Sequence, residues 1–378
     1  MCFKFKPKVT KPYFFLQMVK TNKYVVNFEF LLMKLIINSK INSFRILIFF
    51  SVIISGCNLK PNNSPTTLKV VSSIRALEVV DDSLVCFAGS KGVFGITKNG
   101  GKSWFVDTIK HPKVDLNFRS IGYTNSALIV GAINSPALFL RSTDFGITWD
   151  TVYKELHPKA FYNCIKFWDE NNGIAVGDET EGCLSIVTTK DGGKTWQKRI
   201  CDSSIYVSDG EANFAASNSN IAVFKNHCWI ATGGKKARVF YSIDYGESWT
   251  NYETPIIQGE QMTGIYSIDF YDENLGFVIG GDWNNKNSFV KNKAITTDGG
   301  KTWRLVADGK YPGYRSCAHF DPKGKGEKLL VVGPTGISES LDTGKTWNHI
   351  SDSGFYALEF SPSGNTIWMS GKNKVVKY

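Results

Sequence analysis

Six copies of one octapeptide punctuate this chain, and they constrain its fold more than any other feature. They are Thr97-Lys-Asn-Gly-Gly-Lys-Ser-Trp104, Ser142-Thr-Asp-Phe-Gly-Ile-Thr-Trp149, Thr189-Lys-Asp-Gly-Gly-Lys-Thr-Trp196, Ser242-Ile-Asp-Tyr-Gly-Glu-Ser-Trp249, Thr296-Thr-Asp-Gly-Gly-Lys-Thr-Trp303 and Ser340-Leu-Asp-Thr-Gly-Lys-Thr-Trp347. Successive tryptophans are 45, 47, 53, 54 and 44 residues apart, a period that suits one four-stranded antiparallel unit per repeat. Each position has a physical task. The acidic residue accepts hydrogen bonds from turn N–H groups, and the Ser or Thr hydroxyl bonds locally. Gly supplies the positive φ that a tight hairpin needs. Trp opens the returning strand and buries its ring against the sheet.

Between the octapeptides the chain repeats strand patterns. Residues 161–167 (FYNCIKF), a polar turn at Asp169–Gly173, and Ile174–Gly177 precede the third copy. Comparable first strands begin near Ile74, Phe118, Asn213, Tyr266, Tyr314 and Tyr356. Seven first strands predict an all-β, seven-bladed β-propeller over residues 67–378. Residues 67–73 are expected to close the ring as the outermost strand of the last blade, covering an open edge.

The octapeptide resembles the Asp-box, or bacterial neuraminidase repeat. In that family the box closes the outer hairpin of a blade at the periphery. The resemblance therefore implies structural roles for Asn99, Asp144, Asp191, Asp244, Asp298 and Asp342, and for Trp104, Trp149, Trp196, Trp249, Trp303 and Trp347. Asn99 stands where the other copies have Asp, which predicts a weaker acceptor. Four copies also contain Gly-Lys-Ser/Thr, like the tail of a phosphate-binding loop. The glycine required five positions earlier is absent, and a strand follows where a helix is needed, so no nucleotide site is expected.

The net charge of +10 does not mark a nucleic-acid binder. Nine basic residues and one acidic residue fall in 1–56, which leaves 35 basic against 33 acidic in the remainder. Residues 44–56 (FRILIFFSVIISG) are apolar except for Arg45, too short for a membrane span of about 20 residues but suited to a secretory segment. The run ends in Ile54-Ser55-Gly56-Cys57, which resembles the lipobox of bacterial lipoproteins. Residues 1–56 are thus expected to be leader and signal peptide, with Met33 starting a signal of ordinary length over 33–56 and residues 1–32 an over-extended start. Cys57 is expected to carry the lipid, and 57–66 to form a tether. This implies an envelope protein anchored at the outer membrane, on its periplasmic or surface face. Six cysteines beyond Cys57 permit 15 disulfide connectivities in an oxidising compartment. Cys86, Cys164, Cys228 and Cys317 lie in apolar runs where a free thiol packs as a small hydrophobe. Neither cysteine nor histidine spacing suggests a metal or cofactor.

In a propeller the first strands begin on the face opposite the box turns, around the central funnel. Arg75, Arg119, Arg315, Tyr266 and Tyr314 take such positions; Lys235 and Trp283 lie on nearby loops, and Asn134 on another. Arginine suits bidentate capture of a carboxylate or phosphate. The stretches 161–177 and 265–281 (IYSIDFYDENLGFVIGG), each followed by a box, resemble the photosystem II stability/assembly factor family. That resemblance implies a non-catalytic propeller whose arginine patch binds protein partners, with Arg75, Arg119 and Arg315 at matching positions. A more distant resemblance to sialidases implies the alternative of a glycoside hydrolase, with Tyr356, Asp178 and Asp282 as candidate catalytic groups. The departures are an absent Arg-Ile-Pro motif and no assignable glutamate partner for the tyrosine. The reading is a monomeric, lipid-anchored module that binds an envelope protein or glycan and needs no cofactor or nucleic acid.

Overall fold

The computed structural model describes residues 66–133 and 135–378. The leader, the lipidation candidate Cys57, the tether up to residue 65, and Asn134 lie outside the described residues. Among the described residues no helix is long and apolar enough to cross a membrane.

Short strands alternate with tight turns throughout, as the repeats require. Four sheets have four strands each, and their first strands are Phe118–Thr124, Tyr162–Phe167, Ile221–Phe224 and Cys317–Phe320. A fifth sheet extends Thr263–Phe270, Gly276–Asp282, Lys293–Thr296 and Arg304–Leu305 with two short strands, Glu211–Ala212 and Gly233–Gly234. The sixth joins both ends of the described chain, in the order Ala357–Phe360, Ile367–Lys377, Thr66–Val79, Val85–Gly89, Val93–Thr97, Phe105–Thr108.

The expected seven separate blades are therefore corrected to six sheets in a ring. The reason lies in Thr66–Val79, one 14-residue strand with two partners. Its first part pairs antiparallel with Lys374–Lys377, and its second part, Ile74–Val79, pairs with Val85–Gly89. Counting first strands treats these as separate units, whereas they are one strand that changes partner across register shifts at Lys69–Ser73 and Ile74–Ala76. A second expectation is also revised. Asn213 does not start a first strand; that strand is Ile221–Phe224, and residues 213–220 do something else.

Apolar side chains fill the space between neighbouring sheets. One such layer unites Phe94, Ile96, Ile121, Leu128, Val130 and Leu140 from two sheets. The box tryptophans seal its outer edge. Trp149 meets Phe94 edge-on at 5.1 Å, and Trp196 meets Phe139 at 5.1 Å. Five of the six indoles donate to the carbonyl of their own box glycine, at 2.9–3.2 Å. Those glycines are required. Gly146 sits at φ +90°, and a Cβ there would lie 2.2 Å from the Phe94 ring.

The boxes repeat to the atom. Asp191 Oδ1 accepts from the Thr195 amide (3.0 Å) and the Thr189 hydroxyl (2.8 Å), while Oδ2 accepts from the Thr195 hydroxyl (2.6 Å). Asn99 closes its turn differently. Its Oδ1 takes the Ser103 amide at 2.9 Å, but its Nδ2 donates to Ser103 Oγ at 2.8 Å. Turns that follow the first strands bond to the box turns, as Gly192 N–H to Asn171 O (3.0 Å) and Gly299 N–H to Asn274 O (3.0 Å). First strands accordingly run toward the box face and begin on the opposite one.

Candidate functional site

Residues 213–220 (NFAASNSN) occupy the axis. Asn218, buried and at φ +58°, accepts from Ile165 N–H (3.1 Å) and donates to Ile121 O (2.9 Å), bridging two sheets. Ser217 donates to Ser316 O at 2.7 Å, and Ser219 to Ser267 Oγ at 2.8 Å. Small polar residues suit this place because each can satisfy a different strand without needing a sheet of its own. The segment is a plug, and the central passage is a pocket with a floor.

That floor is Phe214-Ala215-Ala216. Above it lies a cavity of about 270 Å³ lined by Arg75, Arg119, Met262, Tyr266, Trp283 and Tyr314. Arg75 donates to Ala216 O (3.2 Å) and lies 4.0 Å over the Tyr356 ring. Arg119 donates to Ala215 O (3.4 Å). Neither guanidinium is within 4 Å of a carboxylate among the described residues. Burial, then the Arg75 charge, lowers the Arg119 guanidinium to about 10, and burial lowers Arg75 as well. Both remain cations at neutral pH, in a place where water solvates them poorly.

The walls are aromatic. Tyr266 stacks on Phe214 at 4.1 Å and meets Tyr314 edge-on at 4.7 Å, while its hydroxyl donates to Met262 O at 3.0 Å. Trp283 meets Tyr314 at 5.3 Å and carries Lys286 Nζ 4.2 Å over its ring. Lys374 likewise sits 3.8 Å over Phe355. Arg75 and Lys286 thus rest on rings rather than on acids.

Of the binding candidates, Arg75, Arg119, Tyr266, Tyr314 and Trp283 come together here. Arg315 does not. It is buried and bonds to Thr335 Oγ1 (2.7 Å), Ser338 Oγ (2.9 Å), the Tyr311 hydroxyl (3.1 Å) and Tyr314 O (2.9 Å), so it serves as an internal brace. Lys235 is exposed and packs beside Gly210, away from the cavity lining. The catalytic candidates are in three different surroundings. Tyr356 lies under Arg75, and among the described residues its hydroxyl has no carboxylate hydrogen-bond partner. Asp178 lines a separate cavity of about 410 Å³ with Glu179 and Glu211; burial raises its carboxyl to about 6. Asp282 caps its own loop by accepting from Asn284 N–H at 2.8 Å. Among the described residues no cluster of His, Cys, Asp and Glu could hold a metal ion.

Residues 294–305 match the family described as BNR/Asp-box repeat. The fold is a β-propeller, and one of its boxes matches the Asp-box repeat. No curated protein matches it at a significant level. Among solved structures, the propeller is similar to one described as YCF48 bound to D1 peptide. The two are 17% identical over 84% of this chain and 97% of that one, with a TM-score of 0.60. YCF48 from Cyanidioschyzon merolae matches at 15% identity over 83% and 98%, TM-score 0.58. The RRP9 WD40 repeats match comparably, at 13% identity over 84% and 97%, TM-score 0.59. Likeness of backbone therefore establishes the propeller fold, and the boxes distinguish the kind.

Proposed function

We propose that the propeller is a non-catalytic binding module whose axial pocket captures an acidic, partly apolar segment of a protein partner. One observation carries this reading: two half-buried guanidiniums share an aromatic cavity with no carboxylate within 4 Å among the described residues. A cation that water solvates poorly gains from an incoming anion, and arginine presents the fork that a carboxylate fits. Phe214, Tyr266 and Trp283 offer flat apolar surface beside that fork. The similar YCF48 structure, described as bound to a D1 peptide, supports a peptide as the class of ligand.

The setting is the cell envelope, with Cys57 as the lipid anchor. In support, Cys183 and Cys201 form a disulfide, while Cys86, Cys164, Cys228 and Cys317 are free and buried. Such a bond persists in an oxidising compartment.

The test is capture of partners from detergent-solubilised envelope by the full chain. Arg119→Ala and the double variant with Arg75→Ala are expected to lose the captured protein, by tenfold or more in affinity, and raised salt to weaken it. Capture that ignores both substitutions overturns the reading.

A further inference from the structure

The other end of the axis, on the box face, has a different chemistry. Near the ends of three axial strands stand Glu78, Lys166 and Glu359. Lys166 Nζ lies 3.0 Å from Glu359 Oε1 and 4.0 Å from Glu78 Oε2, so one ammonium serves two carboxylates. Glu359 Oε2 also accepts the Val79 amide at 2.8 Å, tying the strand Thr66–Val79 to Ala357–Phe360. Glu78 Oε2 is buried and has no hydrogen-bond partner among the described residues. All three side chains are 15–21% exposed, which leaves little water to screen the two acids from each other.

We infer that this knot is a proton-dependent clamp between the strand Thr66–Val79 and the strand Ala357–Phe360. With Glu78 neutral, Lys166 and Glu359 form a balanced pair and Glu359 keeps the Val79 amide. With Glu78 ionised, two carboxylates compete for one ammonium, and the strand Ile74–Val79 is held less firmly. Burial, then the Glu359 charge, pushes the Glu78 carboxyl up to about 8. Its usual value is 4.5, so the folded state binds the extra proton between those limits. The stabilisation is complete below pH 4.5 and is lost as pH rises through 8.

The other titratable groups facing the knot are the same in Glu78→Gln, so comparison with that variant isolates Glu78. Burial opposes the charge on Lys166, but Glu359 and Glu78 outweigh it and raise the amine. Burial opposes the charge on His319 too, but Asp269, 3.4 Å away, outweighs it and raises the imidazole; Asp269 Oδ2 also accepts the Phe320 amide at 2.7 Å. Burial raises the thiol of Cys86, which donates to Glu78 O at 3.8 Å, as it does that of Cys164 and the hydroxyl of Tyr123. Burial also opposes ionisation of Cys317, but His319 outweighs it and lowers that thiol.

Cys86 pairs in register with Glu78 and is fully buried, so its alkylation reports opening of this joint. The experiment compares Cys86 alkylation in the full chain at pH 6 and pH 9, with buried Cys228 as the internal control. At pH 9 the wild type is expected to label at Cys86 at least fivefold faster than Glu78→Gln; at pH 6 the two should agree. Equal rates at pH 9, or a rise at Cys228 in step with Cys86, overturns the clamp. Should Glu78→Gln fail to fold, the wild-type ratio of Cys86 to Cys228 rates decides. It rises between pH 6 and pH 9, or the inference fails.

Discussion

The rim and the hub of this propeller are built on opposite principles. At the rim, one eight-residue device is repeated six times, and each copy satisfies itself. In five copies the acid, hydroxyl, glycine and indole N–H bond within the same turn, and only the indole ring reaches a neighbour, as Trp149 does on Phe94. At the hub no residue pattern repeats. Asn218 joins two sheets, Arg75 and Arg119 reach the carbonyls of an unrelated segment, and Lys166 is divided between two strands from opposite ends of the described chain. A self-contained element tolerates damage locally, whereas a shared one passes it on.

That contrast can be broken most sharply at the plug. Asn218→Ala removes two buried hydrogen bonds and leaves the Ile165 amide and the Ile121 carbonyl without partners. The expected cost is about 2–4 kcal/mol by urea unfolding, since a buried group left unsatisfied costs roughly 1–3 kcal/mol. A loss below about 1 kcal/mol would mean the plug is not the keystone described here. Within the rim, Asp191→Ala should cost only about 1–2 kcal/mol, with thermal unfolding remaining a single transition. If it costs as much as Asn218→Ala, the boxes are not autonomous.

Acid sharpens the comparison further. Hydrogen bonds, led by those from Thr148, lower the Asp144 carboxyl to about 2 from its usual 3.8. A depressed carboxyl stabilises the fold above pH 4, and that contribution is lost as pH falls toward 2. Acid unfolding of Asp144→Asn should therefore show a shallower pH dependence than the wild type. The first box is the natural control, because Asn99 does not titrate. Asn99→Asp should add about 0.5 kcal/mol at pH 7, by a charge-assisted acceptor, and that gain should vanish by pH 2. No gain at pH 7 would show the amide closure, with Nδ2 donating to Ser103, to be equivalent.

The same contrast explains what could be read from the sequence. The rim was legible because its chemistry is local: every partner of Asp191 lies within four residues. The first strands were legible for the same reason, by their alternation, and so was the gathering of Arg75, Arg119, Tyr266 and Tyr314 at one mouth. Three features were not. The shared strand Thr66–Val79 looks like two strands, because an irregularity between Lys69 and Ser73 interrupts its pattern where it passes from one partner strand to the next. The plug was read as a first strand because it occupies that slot in the period. Its run of Asn, Ala and Ser, without apolar alternation, was the available signal against a strand. Arg315 was misplaced by its position in the repeat. It stands one residue beyond Tyr314, and its side chain turns inward to Ser338 rather than to the cavity.

The central claim is that the hub meets other molecules and the rim does not. A photo-crosslinking residue placed at Trp283 and, separately, at Thr195 in cells tests it directly. Adducts from position 283 that disappear with Arg119→Ala, and none from position 195, are the predicted result. Adducts from position 195 with none from 283 would contradict it.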